Sequence, residues 1–228
     1  MPDPADSNEF AGFAVELHSE PDTEHTLQRV VEYAQEATGC DDVGVLLRRE
    51  RGRLESALTT SPRVNESDRL QSELGEGPCI EAIWNDDSFL VPDTTTDERW
   101  PKWGKRVAEL GIRSAIGLRL STLRRTIGAL NLYANEPEYF TDDDLEVADL
   151  FAQHAALALA AANEEDGLKR AIGTRQLIGQ AQGILMERYS LDADRAFALM
   201  RRHSQQHNIK LNRVAEQIIE TRRLPGKE

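Results

Sequence analysis

Residues 174–186 read Thr-Arg-Gln-Leu-Ile-Gly-Gln-Ala-Gln-Gly-Ile-Leu-Met. Leu177, Ala181, Ile184 and Leu185 stand at i, i+4, i+7 and i+8, which places them on one stripe of a helix ending near Tyr189. Gly173, Gly179 and Gly183 fall inside the same pattern, where each glycine costs roughly 1 kcal/mol relative to alanine. Two reasons for tolerating them stay open. Either a neighbouring helix packs tightly there, or a strip of bare backbone is left for a partner helix or a nucleic-acid loop to approach.

Two further helices follow. Asp192 and Asp194 can start the second, with Ala193, Ala196, Phe197, Met200 and Ser204 on one face. The third begins near Lys210 and directs Leu211, Val214, Ala215, Ile218 and Ile219 inward. Three amphipathic helices of this size bury one small core, so residues 164–228 are expected to form an all-α three-helix bundle. The outer faces are basic: Arg195 and Arg202 are seven apart, Arg201 lies nearby, and Lys210 and Arg213 sit on the exposed side of the third helix. A single surface arginine usually just faces water. Here, however, residues 167–228 hold 12 Lys+Arg against 6 Asp+Glu, a net of +6, while residues 1–166 hold 15 against 34, a net of −19. The first would attract a polyanion through phosphate contacts and the second would repel it. A nucleic-acid partner therefore belongs to the C-terminal end.

Upstream, residues 22–163 read as a separate α+β domain. Leu27, Val30, Val31 and Ala34 recur at helical spacing before Gly39. Val43–Leu47 and Leu54–Thr60 are two β-prone runs around Gly52, and Ser114–Leu120 and Ile127–Tyr133 are two more joined by residues 121–126. Short helices are expected from Cys79 to Trp84 and from Trp100 to Leu110, with the apolar run Phe89-Leu90-Val91 between them. Thr141 precedes three aspartates and the series Leu145, Ala148, Ala152, Ala155 and Leu159, which suits the capped, acidic start of a long helix. Only Asn163–Gly167 separates it from the next helical run, so one nearly continuous linking helix is expected. Its alanine-rich surface suits close pairing with a second copy, giving a parallel homodimer through a coiled coil. Residues 1–21 are acidic and aperiodic, and are expected to be a mobile leader or a short partner helix around Phe10–Leu17.

Two resemblances emerge from these residues. Gly75-Glu76-Gly77-Pro78-Cys79, Asp93 after Val91-Pro92, Arg99-Trp100-Pro101, Gly111-Ile112-Arg113-Ser114, Gly128-Ala129-Leu130-Asn131-Leu132-Tyr133 and Phe140-Thr141 together resemble the GAF family. The resemblance implies a central antiparallel sheet flanked by helices, and often a dimeric sensor of small molecules. It makes Cys79, Trp84, Asp93, Trp100, Asn131 and Tyr133 candidates for a ligand pocket, with the ligand unspecified and no metal implied. Thr174 to Met186, followed by Ala196-Phe197, Leu199-Met200-Arg201, Asn208, Leu211 and Val214-Ala215, is similar to the ANTAR family. That implies binding of paired hairpins in nascent RNA, which prevents a terminator from forming. The residues it points to are Arg175, Gln180, Ala181, Gly183, Arg188, Lys210 and Arg213, with Arg201 and Arg202 added by their charge. Gln182 stands where many members carry lysine. Recognition of unpaired loop bases, with arginines holding the backbone, suits such a surface.

Other classes fit less well. Val147–Ala162 carries Asp149, Gln153 and His154 and falls short of the roughly 20 apolar residues of a membrane span. The start Met1-Pro2-Asp3 lacks the basic and apolar regions of a secretory signal, so a cytoplasmic protein is expected. Cys40 and Cys79 lack CxxC spacing, which leaves them as free thiols. A thiol enzyme would use Cys79 as nucleophile, yet no basic residue is placed to lower its pKa and the C-terminal segment goes unexplained. A DNA-binding regulator is the stronger rival, with the last helix in a major groove. Glu216, Gln217 and Glu220 on that helix's outer face argue against it.

Overall fold

The computed structural model describes residues 4–85 and 87–225. The chain divides into two compact units, the boundary falling between Glu164 and Glu165. The first unit begins with α1 (Pro4–Ser19) and α2 (Thr23–Thr38), followed by β1 (Asp42–Arg48), β2 (Leu54–Thr59), α3 (Pro62–Leu74) and α4 (Pro78–Asn85). Then come β3 (Phe89–Val91), α5 (Pro101–Glu109), β4 (Ser114–Ser121), β5 (Thr126–Ala134) and the start of α6 (Asp142–Tyr189). The five strands form one antiparallel sheet in the order β2-β1-β5-β4-β3.

Period-two alternation sorts the strand side chains onto two faces. Val43, Val45 and Leu47, Ile116, Leu118 and Leu120, and Leu130 and Leu132 point to the side covered by α1, α2 and α6. Leu46, Ala115, Ala129 and Tyr133 point to the side covered by α3, α4 and α5. Gly128 is required by this pairing, because a Cβ there would lie 2.1 Å from the carbonyl oxygen of Leu46. Along α6, Ala148, Phe151, Ala152, Ala155, Ala156 and Leu159 belong to the first core. An 18-residue window of α6 is apolar enough by composition to cross a membrane, with a mean hydropathy of 1.3. Within this helix Ala148, Phe151, Ala152, Ala155, Ala156, Ala158 and Leu159 belong to the core that covers the sheet.

Of the two alternatives for residues 1–21, the described part takes the short helix and not the mobile leader. Residues 1–3 lie outside the described residues, and α1 is helical from Pro4, with Phe13 and Leu17 both buried. The Phe13 ring stacks on Tyr33 of α2 at 3.9 Å and meets Phe151 of α6 at 4.7 Å. Three aromatic rings thus tie α1 to the sheet's first face.

In the second unit, the end of α6 packs against α7 (Ala193–His207) and α8 (Leu211–Thr221). Its core is Ala181, Leu185, Ala196, Met200, Val214, Ala215 and Ile218. Asp192 caps α7 by accepting from the Arg195 amide, and Asn208 ends it in the left-handed conformation at φ 53°. Phe197, expected inside, is 36% exposed, and His203 takes the inward position, stacked on His207 at 4.1 Å. The linking helix runs through Gly167 and Gly173 without a break.

Candidate nucleic-acid interface

α6 presents Gln180, Gly183, Ile184, Glu187 and Arg188 at i, i+3, i+4, i+7 and i+8, so they share one edge of the helix. Together with Ile219 of α8 and Arg222 just past its end, they line an open groove of about 710 Å³. Three residues singled out from sequence, Gln180, Gly183 and Arg188, are brought together here. Gly183 contributes backbone alone: a Cβ built on it would meet nothing within 4 Å, and the same holds for Gly173 and Gly179. Tight packing within the chain therefore does not explain these glycines, and the bare backbone is open.

The cations of the two units are disposed differently. In the first unit arginines are largely neutralised: Arg63 pairs with the buried Asp42, Arg99 with Asp97 at 2.6 Å, and Arg113 with Asp93 at 2.9 Å. In the second, among the described residues, Arg175, Arg188, Arg201, Arg202, Lys210 and Arg222 are exposed and have no ion-pair partner. Arg195 pairs with Asp192 at 3.4 Å, and Arg213 with Glu216 at 2.8 Å. The Arg213 side chain is 71% exposed, so that pair is a weak surface contact that a phosphate can displace. At 100° per residue, Arg195 and Arg202 share one side of α7, whereas Arg201 projects about a quarter-turn away. Arg175 is exposed on α6 but does not line the groove.

Ala181 requires a correction. It is fully buried in the bundle core, where only a small side chain lets α6 approach α7 and α8, so it packs and does not reach RNA. Gln182 is structural too, donating its amide to the Ala193 carbonyl at 2.6 Å.

The pocket candidates of the first unit separate. Cys79, Asn131 and Tyr133 meet on the sheet's second face in a buried polar network. The Tyr133 hydroxyl lies 3.1 Å from Ser67 Oγ and 3.8 Å from Cys79 Sγ, while Gln71 Nε2 donates to Cys79 Sγ at 2.9 Å. Gln71 also accepts from the Cys79 amide at 2.9 Å. Gly77, at φ 139°, makes room for this glutamine, since a Cβ would stand 2.4 Å from Gln71 Oε1. Asn131 Nδ2 faces Asp68 Oδ1 at 3.3 Å, and Ser56 Oγ donates to Asp68 Oδ2 at 2.5 Å. Burial pushes the Asp68 carboxyl up to about 6. Burial, and then the Asp68 charge, push the Cys79 thiol up, the opposite of what a thiolate nucleophile needs. Cys40 is likewise free and buried.

Trp84, Asp93 and Trp100 do not join this network. Trp84 is 49% exposed with the Arg48 guanidinium 4.6 Å from its ring centroid. Asp93 accepts from Arg113 and from the Thr95 amide, stapling its own loop. Trp100 is buried edge-on to Phe89 and Trp103. Asp68, Gln71 and Ser67 were missed by sequence reading because they sit on α3, whose apolar pattern is too sparse to mark a helix.

The GAF domain family model matches residues 20–160, and the ANTAR domain model matches residues 166–219. Among curated proteins none matches the chain. Among solved structures, the GAF domain of the phosphoenolpyruvate-protein phosphotransferase from Acinetobacter is similar at 14% identity and a TM-score of 0.55, over 72% of this chain and 97% of that one. A bacteriophytochrome from the photosynthetic bacterium R. palustris is similar at 10% identity and a TM-score of 0.57, over 81% of this chain and 44% of that one. The free methionine-R-sulfoxide reductase from Neisseria meningitidis is similar at 18% identity and a TM-score of 0.51, over 68% and 89% respectively. At these identities the likeness establishes the fold alone.

Proposed function

The chain belongs to the GAF domain family and carries an ANTAR domain, and from that premise we propose that it is a transcription antiterminator that binds paired hairpins in nascent RNA. The domain combination indicates a sensor-regulated ANTAR regulator, and an ANTAR domain implies RNA binding. The observation that carries the finer reading is the set of exposed cations without ion-pair partners on the second unit, of which Arg188 and Arg222 line the groove, in a chain whose other arginines are mostly neutralised. Phosphates would be met by Arg175, Arg188, Arg201, Arg202, Lys210 and Arg213, and loop nucleotides by Gln180 and Gly183. In this reading the protein works in the cytoplasm on transcripts as they emerge.

A homodimer completes the proposal. Val147, Leu150, Leu157, Leu168 and Ile172 are large apolar side chains exposed on α6. The first four fall on one 3-4 heptad register that also takes His154, Ala161, Glu164 and Ala171, and Ile172 lies beside it. A second copy of the same helix, running parallel, presents the matching seam, and two RNA-binding bundles then engage two hairpins with added avidity. The GAF domain supplies control through its sheet. Cys79, Asn131 and Tyr133 lie on one face, and the alternate residues Leu130 and Leu132 pack with α6 on the other. A signal that repacks the face bearing Cys79, Asn131 and Tyr133 shifts the helix that pairs the two copies.

DNA binding through α8 is the alternative. The Arg213–Glu216 pair leaves that helix with little free positive charge facing outward. Retention of a labelled two-hairpin RNA against duplex DNA, at two salt concentrations, separates the readings: RNA preference at both supports antitermination, and duplex preference reverses it.

A further inference from the structure

α3 is held on the sheet's second face by polar side chains as much as by apolar ones. Val64 and Leu70 join the core there, while Ser67, Asp68 and Gln71 complete the buried stripe. Gln71 covers Cys79, donating to its thiol and accepting from its amide, and Ser67 meets the Tyr133 hydroxyl. Asp68 ties the helix to two strands at once, accepting from Ser56 of β2 and from Asn131 of β5. An element with so few buried apolar side chains opens locally at lower cost than the whole unit unfolds.

Asp68 is 3% exposed, and among the described residues no cation answers it. On its own helix Arg63 is taken by Asp42 of β1, and Arg69 by Glu66 and Glu73. Of the elements packed against α3, β1 sets Arg48 on the Trp84 ring, β2 pairs Glu55 with Arg49, and α5 exposes Lys102, Lys105, Arg106 and Glu109. α4 offers Cys79 and Glu81, and β5 offers Tyr133, none of them positive. A carboxylate buried between two neutral donors without a counter-charge is costly, and burial accordingly raises its pKa to about 6. The neutral acid suits the closed interface, whereas the anion gains by reaching water.

We propose that Asp68 is a proton latch: protonated, it holds α3 down over Cys79, Asn131 and Tyr133, and ionised, it lets the helix lift and admits small solutes to that face. Acidification therefore shuts the face. With 3.8 for the exposed carboxyl and about 6 for the buried one, the open population rises about tenfold from about pH 5 to about pH 7. The latch stands or falls independently of RNA binding.

Access to the Cys79 thiol reads it out. In the full chain carrying Cys40→Ser, the rate at which dithiodipyridine modifies Cys79 is followed against pH and divided by the rate for the same chain unfolded in urea, which removes the thiol's own titration. Protection of Cys79 falls about tenfold from about pH 5 to about pH 7. With Asp68→Asn it is flat across that range. Ser56→Ala takes a donor from the anion and moves the fall to higher pH, and it remains informative if Asp68→Asn does not fold. Low urea distinguishes lifting from unfolding, because one helix exposes less surface: the slope of log protection on urea stays well below that of unfolding. Protection independent of pH, an unchanged pH dependence in both variants, or a urea slope equal to that of unfolding would each overturn the latch.

Discussion

The side-chain amide of Gln182 donates to the backbone carbonyl of Ala193 at 2.6 Å, tying α6 to the first turn of α7. That carbonyl belongs to a residue immediately after the Asp192 cap, so one glutamine fixes where the second helix of the bundle departs. Gln182→Ala is expected to destabilise the C-terminal unit by about 1 kcal/mol, the usual net worth of one such bond. Urea unfolding followed by circular dichroism measures it, and an unchanged midpoint would show that the bond contributes nothing.

Gly173 and Gly179 are interior helical glycines whose missing Cβ would meet open space. Gly173→Ala and Gly179→Ala are each expected to stabilise the chain by about 0.5–1 kcal/mol, through helix propensity and a less flexible unfolded chain. A rise in Tm of a few degrees is the expected reading. A fall would mean that another molecule or segment packs against this backbone in solution.

Asp68 gives the first unit a pH dependence of defined sign. Its folded-state pKa is raised from 3.8 to about 6 by burial. The native state therefore holds the proton more tightly than the unfolded chain does, and this contribution is fully present below about pH 4 and lost as pH rises through about 6. Asp68→Asn keeps the shape without the titrating charge, and the Asn131 Oδ1, buried without a partner, can accept from the new amide after a flip. The variant should match wild type near pH 4 and exceed it by about 2 kcal/mol at pH 7.5. Thermal melts across that range check it; a constant offset would place the effect in packing alone.

How much of this was legible in the sequence depended on whether burial was apolar. The β4–β5 hairpin, the long helix and the three bundle helices were readable because Leu130/Leu132 and Leu177/Ala181/Leu185 carry clean periods of two and 3.6. α3 was not. Its buried face holds Ser67, Asp68 and Gln71 beside Val64 and Leu70, so polar residues complete the stripe and no apolar period appears. Pro62 at its first turn and Gly75 in the left-handed cap at φ 67° were the signals available. Missing α3 also hid most of the partners of Cys79 and Asn131. In the bundle, Phe197, which helical spacing placed on the apolar face, is 36% exposed, while His203, which carried no sequence signal, is buried. The groove was half legible: Gln180, Gly183 and Arg188 came from the motif, while Ile219 and Arg222 needed the packing of α8.

The exposed α6 seam predicts that single substitutions control assembly. Leu157→Cys should form an intermolecular disulfide under mild oxidation, with little background because Cys40 and Cys79 are buried. Leu150→Glu combined with Leu157→Glu should halve the mass seen by light scattering while leaving the fold intact, both side chains being exposed. A wild-type chain that is monomeric at every concentration would contradict the paired helix.

The most direct test of the central claim is the salt dependence of hairpin RNA affinity in two variants of the full chain. Arg175→Gln, Arg202→Gln and Lys210→Gln together remove unpaired cations of the ANTAR domain, and Arg124→Gln with Arg125→Gln remove exposed ones of the GAF domain. The first variant should bind more weakly and show a log–log salt slope shallower by up to about 3, one for each phosphate that is no longer neutralised, while the second keeps both affinity and slope. Equal affinity and slope in the ANTAR variant and the wild type would contradict the assignment of RNA to this surface.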